Sequence, residues 1–363
     1  MDKSLSNGLK NIKRVLIDDR NNIHCENLIG AISLPLGVAG PLLIKSQITN
    51  HKLQMKPHYV PLATTEGALV ASVNRGCKAI RLSGGVSVFC DNVGATRGPV
   101  FETKNLEESF KFKKWLVDNF TILKQAAETT SKHLKLKKIE VKIVGCYVYV
   151  RFSYDTSEAM GMNMATIATQ AIVDLIERKT KIKCLSIAGN FDIDKKPAWL
   201  NLYFGRGKTI WADVIIPKKI VNQVLKTTPE RLFSVWLGKD LLGSAISGSL
   251  GYNAHFANIV VAFYAATGQD LTHTVEGSLG ISVAKVLTSG DLYFSIYLPA
   301  LMIGTVGGGT KLKTQTEARN ITKTKNSEEL ARVLGGAVLA GELSLLASLA
   351  EGSLAKAHKK LGR

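Results

Sequence analysis

The chain has 363 residues, 45% of them hydrophobic and 21% charged, a composition that supports folded domains with a sizeable core and excludes wholesale disorder. With 47 basic residues against 29 acidic ones, the formal net charge of +18 points to anionic partners: nucleic acid, a membrane surface or a phosphate-bearing small molecule. Five cysteines without a CxxC pair and seven histidines without HxxxH or HxH give no metal-ligand spacing and fit a reducing compartment, so no metal centre is expected.

The N-terminus is polar and basic, without the apolar core of a signal peptide. The apolar run 29–44 is broken by Pro35, Gly37, Gly40 and Pro41 and is too short to span a bilayer, so a soluble, cytoplasmic protein with no membrane contact is expected. Residues 26–60 read as short strands and turns. Leu69, Val73 and Ile80 recur at helical spacing, which predicts a helix over 66–80 with Thr64 and Thr65 at its start and Glu66 in its first turn.

Residues 105–186 form a distinct module. One helix carries Leu116, Phe120, Leu123 and Ala127, and a lysine-rich linker leads to a hairpin with alternating Ile139, Val141, Ile143 and Val148, Val150, Phe152. A helix with Ala165, Ala168, Ile172 and Leu175 in register and a strand at 182–187 complete it. Beyond it come strands at 199–204 and 209–216, a short helix at 218–226, and a very apolar helix at 253–267. Strands at 292–298 and 300–305, a glycine cluster at 304–310, and a last helix from 326 running into a basic tail follow.

The expected class is α+β: a large mixed α/β domain with a long buried helix (1–98 and 187–363), and an inserted small ferredoxin-like α+β unit (99–186). In this division 1–25 is a short N-terminal segment and 345–363 a flexible tail. No GxGxxG occurs, so a Rossmann site is not supported.

Several motifs carry two readings. The stretch Gly189-Asn190-Phe191-Asp192-Ile193-Asp194-Lys195-Lys196-Pro197 lies between apolar runs. It reads either as a solvated basic turn or as charges held at a packed interior, where a fixed lysine can meet an anion. Gly304 to Thr310 lacks the GK[ST] ending of a Walker loop and reads as a tight turn, and Gly205-Arg206-Gly207-Lys208 as a hairpin turn. Asn253, His255 and Asn258 sit among apolar residues and need partners. His358 stands in the basic tail. The lysine clusters at 132–138, 178–183 and 356–360 are not interleaved with aromatics, which speaks against a single-strand nucleic-acid surface.

Taken together, the segments resemble 3-hydroxy-3-methylglutaryl-coenzyme A (HMG-CoA) reductases. The resemblance rests on Glu26-Asn27-Leu28-Ile29-Gly30, Pro35-Leu36-Gly37-Val38-Ala39-Gly40-Pro41, Pro61 to Leu69, and Thr96-Arg97-Gly98-Pro99. It continues through Glu158 to Met164, Asp194-Lys195-Lys196-Pro197, Gly251 to His255, Gly268-Gln269-Asp270 and Gly304 to Thr310, in family order over nearly the whole chain. Thr64-Thr65-Glu66-Gly67 and Met160-Gly161-Met162-Asn163 resemble the class I pattern in its soluble, archaeal-type form.

The resemblance implies a two-step reduction of the HMG-CoA thioester to mevalonate and free CoA with two NADPH and no metal, in isoprenoid biosynthesis. The alternative is an NADH-linked enzyme working in mevalonate degradation. It implies catalytic roles for Glu66, Lys195, Asp270 and His358: Lys195 faces the developing oxyanion, His358 protonates the thiolate, and Glu66 delivers a proton with a pKa raised by burial. Asp270 couples Lys195 and Glu66, and Asn258 orients Glu66. Arg97, Asp194 and Lys196 hold the HMG portion, and Ser72, Asn74, Arg75 and His255 line the CoA site. The insert carries NADPH, with Ser131 and Lys132 at the 2′-phosphate and Glu158, Met160, Gly161, Met162 and Asn163 near the cofactor. The partners implied are HMG-CoA, mevalonate, CoA and further copies of the chain in a dimer or tetramer with a shared site, not nucleic acid or membrane. Ala188 and Ala31 depart from the pattern, where relatives have a serine and an aromatic residue.

Overall fold

The computed structural model describes residues 23, 25–28, 30–45 and 55–352. His358 and most of residues 1–25 therefore lie outside the described residues.

Ten strands form one mixed sheet: β1 (Leu36–Lys45), β2 (Met55–Ala63), β3 (Val86–Arg97), β4 (Val100–Glu102), β5 (Lys135–Val144), β6 (Tyr147–Asp155), β7 (Lys183–Ser186), β8 (Gly207–Ile216), β9 (Ile281–Val286) and β10 (Leu292–Leu301). The main path runs β7-β4-β6-β3-β8-β10-β9, with β1 beside both β2 and β3 and β5 beside β6. Among these ten strands only the short β1–β3 pairing is parallel. β3 is the hinge of the architecture. Its first part pairs with β8, and its last residues, Ala95 to Arg97, pair with β6 of the inserted segment.

Two hydrophobic cores result. The larger is organised around the helix Ser327–Glu351, most of which is buried. Asn326 starts this helix by accepting from the Glu329 amide at 2.8 Å, and the Glu329 carboxylate accepts in return from the Lys325 amide at 2.9 Å, so two otherwise orphaned donors are satisfied. The helix is long and apolar enough to cross a membrane, yet 83% of its most apolar stretch is buried inside the fold. Its closest neighbour is the helix Leu69–Leu82, which approaches through Gly76: a Cβ there would stand 1.9 Å from the Ala340 carbonyl oxygen. The smaller core holds Phe101, Phe112, Leu116, Leu123, Val150, Phe152, Ile172 and Ile176 of the insert.

Within the insert, β4, β5, β6 and β7 lie in the spatial order β7-β4-β6-β5, all antiparallel, with helices Leu106–Asp118, Phe120–Glu128 and Met162–Thr180 between them in sequence. The hairpin register pairs Ile139 with Phe152 and Val141 with Val150, as the alternation predicts. The helix expected through 116–127 is two helices that meet at Asn119.

Four further expectations change. The helix expected from 66 begins at Leu69; Ala68 at its start has φ 69° and the Thr64 hydroxyl accepts from the Glu66 amide instead of capping the helix, so Glu66 precedes the first turn. The strand expected at 199–204 is the helix Trp199–Phe204, ended by Gly205 at φ 71°; six apolar residues do not distinguish the two by pattern. The two strands expected at 292–298 and 300–305 are a single strand, β10, with an irregularity around Pro299. The tail expected from 345 is helical to Glu351, because Leu346, Ala347 and Ala350 are still packed in the core.

Candidate active site

The segment 189–198 crosses the region where β3 ends and the insert returns. Asn190, Ile193 and Lys195 have φ of 63°, 52° and 57°, left-handed conformations that cost non-glycine residues about 1–3 kcal/mol each. The Thr96 hydroxyl donates to the Asp192 carbonyl at 2.9 Å, the Asn201 amide group to the Ile193 carbonyl at 3.2 Å, and the Lys195 amide to Glu276 Oε1 at 3.4 Å. The left-handed turns are thus fixed from outside the segment.

Beneath it lies a buried charge network centred on Arg206, which is fully enclosed. Its Nε donates to Thr96 Oγ1 at 2.9 Å, its Nη2 meets Asp194 Oδ1 at 3.0 Å, and its Nη1 bonds Glu276 Oε1. Asp194 also faces Arg97 at 3.7 Å, and Arg97 reaches Asp192 at 3.4 Å. Burial raises the Asp192 pKa even with two arginines opposing it. Gly205 and Gly207, with φ of 71° and 65°, flank Arg206; a Cβ on Gly207 would lie 2.4 Å from the Leu301 carbonyl oxygen. The glycines let this stretch bend hard against β10 while the arginine turns inward, so it is not a simple solvent-facing hairpin turn.

Lys195 Nζ stands 3.3 Å from Asp270 Oδ2, with its side chain 42% exposed. Asp270 caps the turn Leu271–His273: its Oδ1 accepts from the Thr272 amide at 3.0 Å and the Thr272 hydroxyl at 2.6 Å, which leaves Oδ2 for Lys195 and, at 3.6 Å, for His273 Nε2. Burial pushes the Asp270 pKa up, but the Thr272 bonds together with His273 and Lys195 outweigh it and hold the carboxyl below its ordinary value. The imidazole of His273 is fully buried and its Nδ1 lies 2.7 Å from Glu276 Oε1. Asp194, His273 and Glu276 could together hold a metal ion by spacing, with ligand atoms within 4.8 Å of one another, but the Arg206 guanidinium already bonds both carboxylates and supplies the positive charge there.

Glu66 accepts from Asn258 Nδ2 at 3.2 Å, the pairing expected of those two residues. It is exposed in the single chain, so the burial expected to raise its pKa is not supplied by this chain alone. Lys196 Nζ turns back to the Asp194 carbonyl at 3.2 Å. Ser72 bonds Ser344 at 3.0 Å, Asn74 accepts from the Gly40 amide at 3.0 Å, and Arg75 donates to Ser344 Oγ at 3.0 Å and also meets Ser348 and Glu351. Two of the residues expected at the CoA site thus also bind the last turns of the core helix. His255 is nearly buried, and desolvation lowers its pKa.

In the insert, Ser131 accepts from the His133 amide at 3.2 Å in an exposed turn that presents Lys132. Gly161, at φ 95°, starts the helix Met162–Thr180 with no side-chain cap, which leaves its first amides without a capping side chain; Asn163 is exposed in that turn. Met160 packs against the smaller core, and Met162 Sδ accepts from Arg206 Nη2 at 2.9 Å. Glu158 Oε2 accepts from Thr305 Oγ1 at 2.9 Å and from the Ser327 amide at 2.6 Å, tying the insert to the glycine cluster and to the start of the core helix.

Sequence reasoning missed His273 and Glu276, and noted Arg206 and Asp192 only as parts of longer stretches. A signal existed for Arg206, an arginine between two glycines entering a strand. None existed for His273 or Glu276, whose neighbours show no period.

The sequence profile of hydroxymethylglutaryl-coenzyme A reductase matches residues 2–363. The 3-hydroxy-3-methylglutaryl-coenzyme A reductase of Methanothermobacter thermautotrophicus is 48% identical over 95% of this chain and 86% of its own length, and that of Methanocaldococcus jannaschii 47% identical over 100% and 91%. The class II HMG-CoA reductase of Streptococcus pneumoniae, solved bound to NADPH in open conformations, superposes with a TM-score of 0.74 at 18% identity over 96% of this chain and 93% of its own, a likeness of fold. With the profile matched over residues 2–363 and these relatives covered over nearly their full length, the chain belongs to the hydroxymethylglutaryl-coenzyme A reductase family and is an oxidoreductase.

Proposed function

We propose that the enzyme is a class I-like, archaeal-type reductase that converts HMG-CoA to mevalonate and CoA with two NADPH, in the cytoplasm and in the biosynthetic direction of the mevalonate pathway. The observation that carries this reading is the Lys195 ammonium, 3.3 Å from Asp270 and held on a loop whose left-handed turns are fixed from beneath. Each hydride addition leaves negative charge on the former carbonyl oxygen, and a preorganised cation stabilises it. A lysine that is 42% exposed can reach substrate while its partner stays anchored to Thr272.

The remaining roles follow the same reading. Asp270 keeps Lys195 oriented and charged. Glu66, oriented by Asn258, hands a proton to the reacting oxygen, and His358 protonates the departing thiolate. Arg97, Asp194 and Lys196 form the pocket for the HMG portion, where Lys196 supplies a positive charge for the free carboxylate. Ser72, Asn74, Arg75 and His255 border the CoA path.

The residue pattern of the insert fits a dinucleotide phosphate. The first amides of Met162–Thr180 have no capping side chain, and Lys132 is exposed in the turn before β5, so both donors can meet anionic groups. In this reading residues 99–186 are a ferredoxin-like cofactor unit, residues 1–98 and 187–363 form the substrate domain, and NADPH when bound supplies the hydride. Ser131 and Lys132 hold its 2′-phosphate, and Glu158, Met160, Gly161, Met162 and Asn163 set the position of the helix start beside it. Glu66 is exposed in the single chain, and Tyr203 and Ile246 are 82% and 91% exposed, which suits a homodimer or tetramer whose subunits complete one another's sites.

The test is oxidation of NADPH, and separately of NADH, on addition of HMG-CoA. Consumption of NADPH that depends on HMG-CoA supports the proposal. No consumption, or a clear preference for NADH, contradicts it. Sedimentation gives the assembly, and a fully active monomer would contradict the shared site.

A further inference from the structure

The Lys195 ammonium and the Lys195 backbone are tied to the same buried carboxylate by different routes. The backbone route is direct: the Lys195 amide donates to Glu276 Oε1 at 3.4 Å. On the side-chain side, Nζ stands 3.3 Å from Asp270 Oδ2 and His273 Nδ1 lies 2.7 Å from Glu276 Oε1, while Asp270 Oδ2 and His273 Nε2 are 3.6 Å apart, a charge contact beyond hydrogen-bond distance that becomes an ion pair when the imidazole is protonated. The direct amide bond and this looser charge contact lie on either side of a lysine at φ 57°, a conformation that needs outside support. Glu276 and His273 are both fully enclosed, and Arg206 anchors Glu276 against Asp194. Oε1 of Glu276 therefore gathers three donors, while among the described residues Oε2 has no hydrogen-bond partner. A purely structural ion pair has no need of a contact to the catalytic main chain.

We propose that Glu276, acting through His273 and through the Lys195 amide, is a positioning residue that sets where the Lys195 ammonium stands during hydride addition. The inference rests on the role given to Lys195 above. Glu276 touches neither substrate nor cofactor in this account. Its carboxylate holds the Lys195 backbone directly, so shifting it displaces the cation from the reacting oxygen, while the pair of Arg206 with Asp194 keeps the HMG pocket in place.

The experiment compares wild type, Lys195→Ala and Glu276→Gln for HMG-CoA-dependent NADPH oxidation, with kcat, KM for HMG-CoA and the isotope effect from NADPH deuterated at the transferred hydrogen. For folded Glu276→Gln, kcat falls roughly 10- to 100-fold. KM for HMG-CoA stays within about threefold of wild type, the split expected when a transition-state contact is lost. The isotope effect on kcat rises, because hydride transfer becomes more rate-limiting; partial unfolding would lower the active fraction and leave the isotope effect unchanged. If Glu276→Gln does not fold, His273→Gln removes the imidazole between Glu276 and Asp270 while leaving Arg206 paired, and the same split and isotope effect are expected of it. Wild-type kcat with a wild-type isotope effect in the folded variant overturns the inference, as does a loss confined to KM. An inactive wild type, or a Lys195→Ala as active as wild type, fails the underlying reading instead, so the two failures are distinguishable.

Discussion

Two clusters of buried charge lie in this molecule and solve the same problem in opposite ways. Under the Lys195 loop, Arg206 pairs with both Asp194 and Glu276, and Arg97 faces Asp194 from the other side. In the larger core, Glu342 of the Ser327–Glu351 helix lies against Asp240, and among the described residues neither forms an ion pair with a lysine or arginine. Glu342 accepts from the amides of Ala254 and His255, and Asp240 Oδ2 accepts from Ser282 at 2.5 Å, while Asp240 Oδ1 has no conventional donor. Desolvation raises both pKa values, that of Glu342 well above its ordinary range, so the pair favours retaining a proton over carrying two charges. The first cluster is cross-linked by ion pairs between separate segments and suits a site that must hold a cation steady. The second makes the fold itself pH-dependent.

Removing the cation breaks the comparison most severely. Arg206→Met leaves Glu276 buried without its guanidinium and Asp194 with Arg97 alone, an expected loss of about 3–5 kcal/mol of stability, read as a large drop in the denaturation midpoint. A variant as stable as wild type would show that the two carboxylates do not depend on Arg206.

The proton-sharing pair is tested through pH. A carboxyl whose folded pKa is raised binds a proton that the unfolded chain has released, so its contribution to stability is complete below the unfolded value of about 4.3 and is lost as pH rises through the folded value. Wild-type stability should therefore decline above about pH 4.3, by up to about 1.4 kcal/mol per pH unit until Glu342 ionises. Glu342→Gln, a neutral substitute, should flatten that decline, although at low pH it loses an acceptor for one backbone amide. Denaturant unfolding between pH 4 and 8 measures both slopes; equal slopes would contradict proton sharing.

The smallest effect belongs to Asp270, whose pKa is lowered, so its contribution is present above about pH 3.9 and is lost as pH falls through the folded value. Its pair with Lys195 is partly exposed, and Asp270→Asn should cost less than about 1 kcal/mol at pH 7, with the difference from wild type shrinking under acid. A constant difference down to pH 3 would show that the charge is not the stabilising element.

What the sequence revealed, and what it did not, follows from how local each signal is. The hairpin β5–β6 was legible because Ile139, Val141, Val150 and Phe152 alternate and pair within a short loop. The pairing of Asn258 with Glu66 and of Asp270 with Lys195 came from the family resemblance, and both are close in space. Arg206 was passed over because its partners, Asp194 and Glu276, come from separate segments that meet only in the folded chain. Trp199 to Phe204 was misread because six apolar residues satisfy either period, and its packing decided for a helix. Glu342 gave no sign beyond being an acid in an apolar helix.

The central claim is that Lys195 is the cation that meets the developing oxyanion. NADPH oxidation driven by HMG-CoA, measured for wild type and for Lys195→Ala with folding verified, tests it most directly. The account predicts that kcat falls by about 10²- to 10³-fold in Lys195→Ala. Equal rates in the two proteins would contradict it.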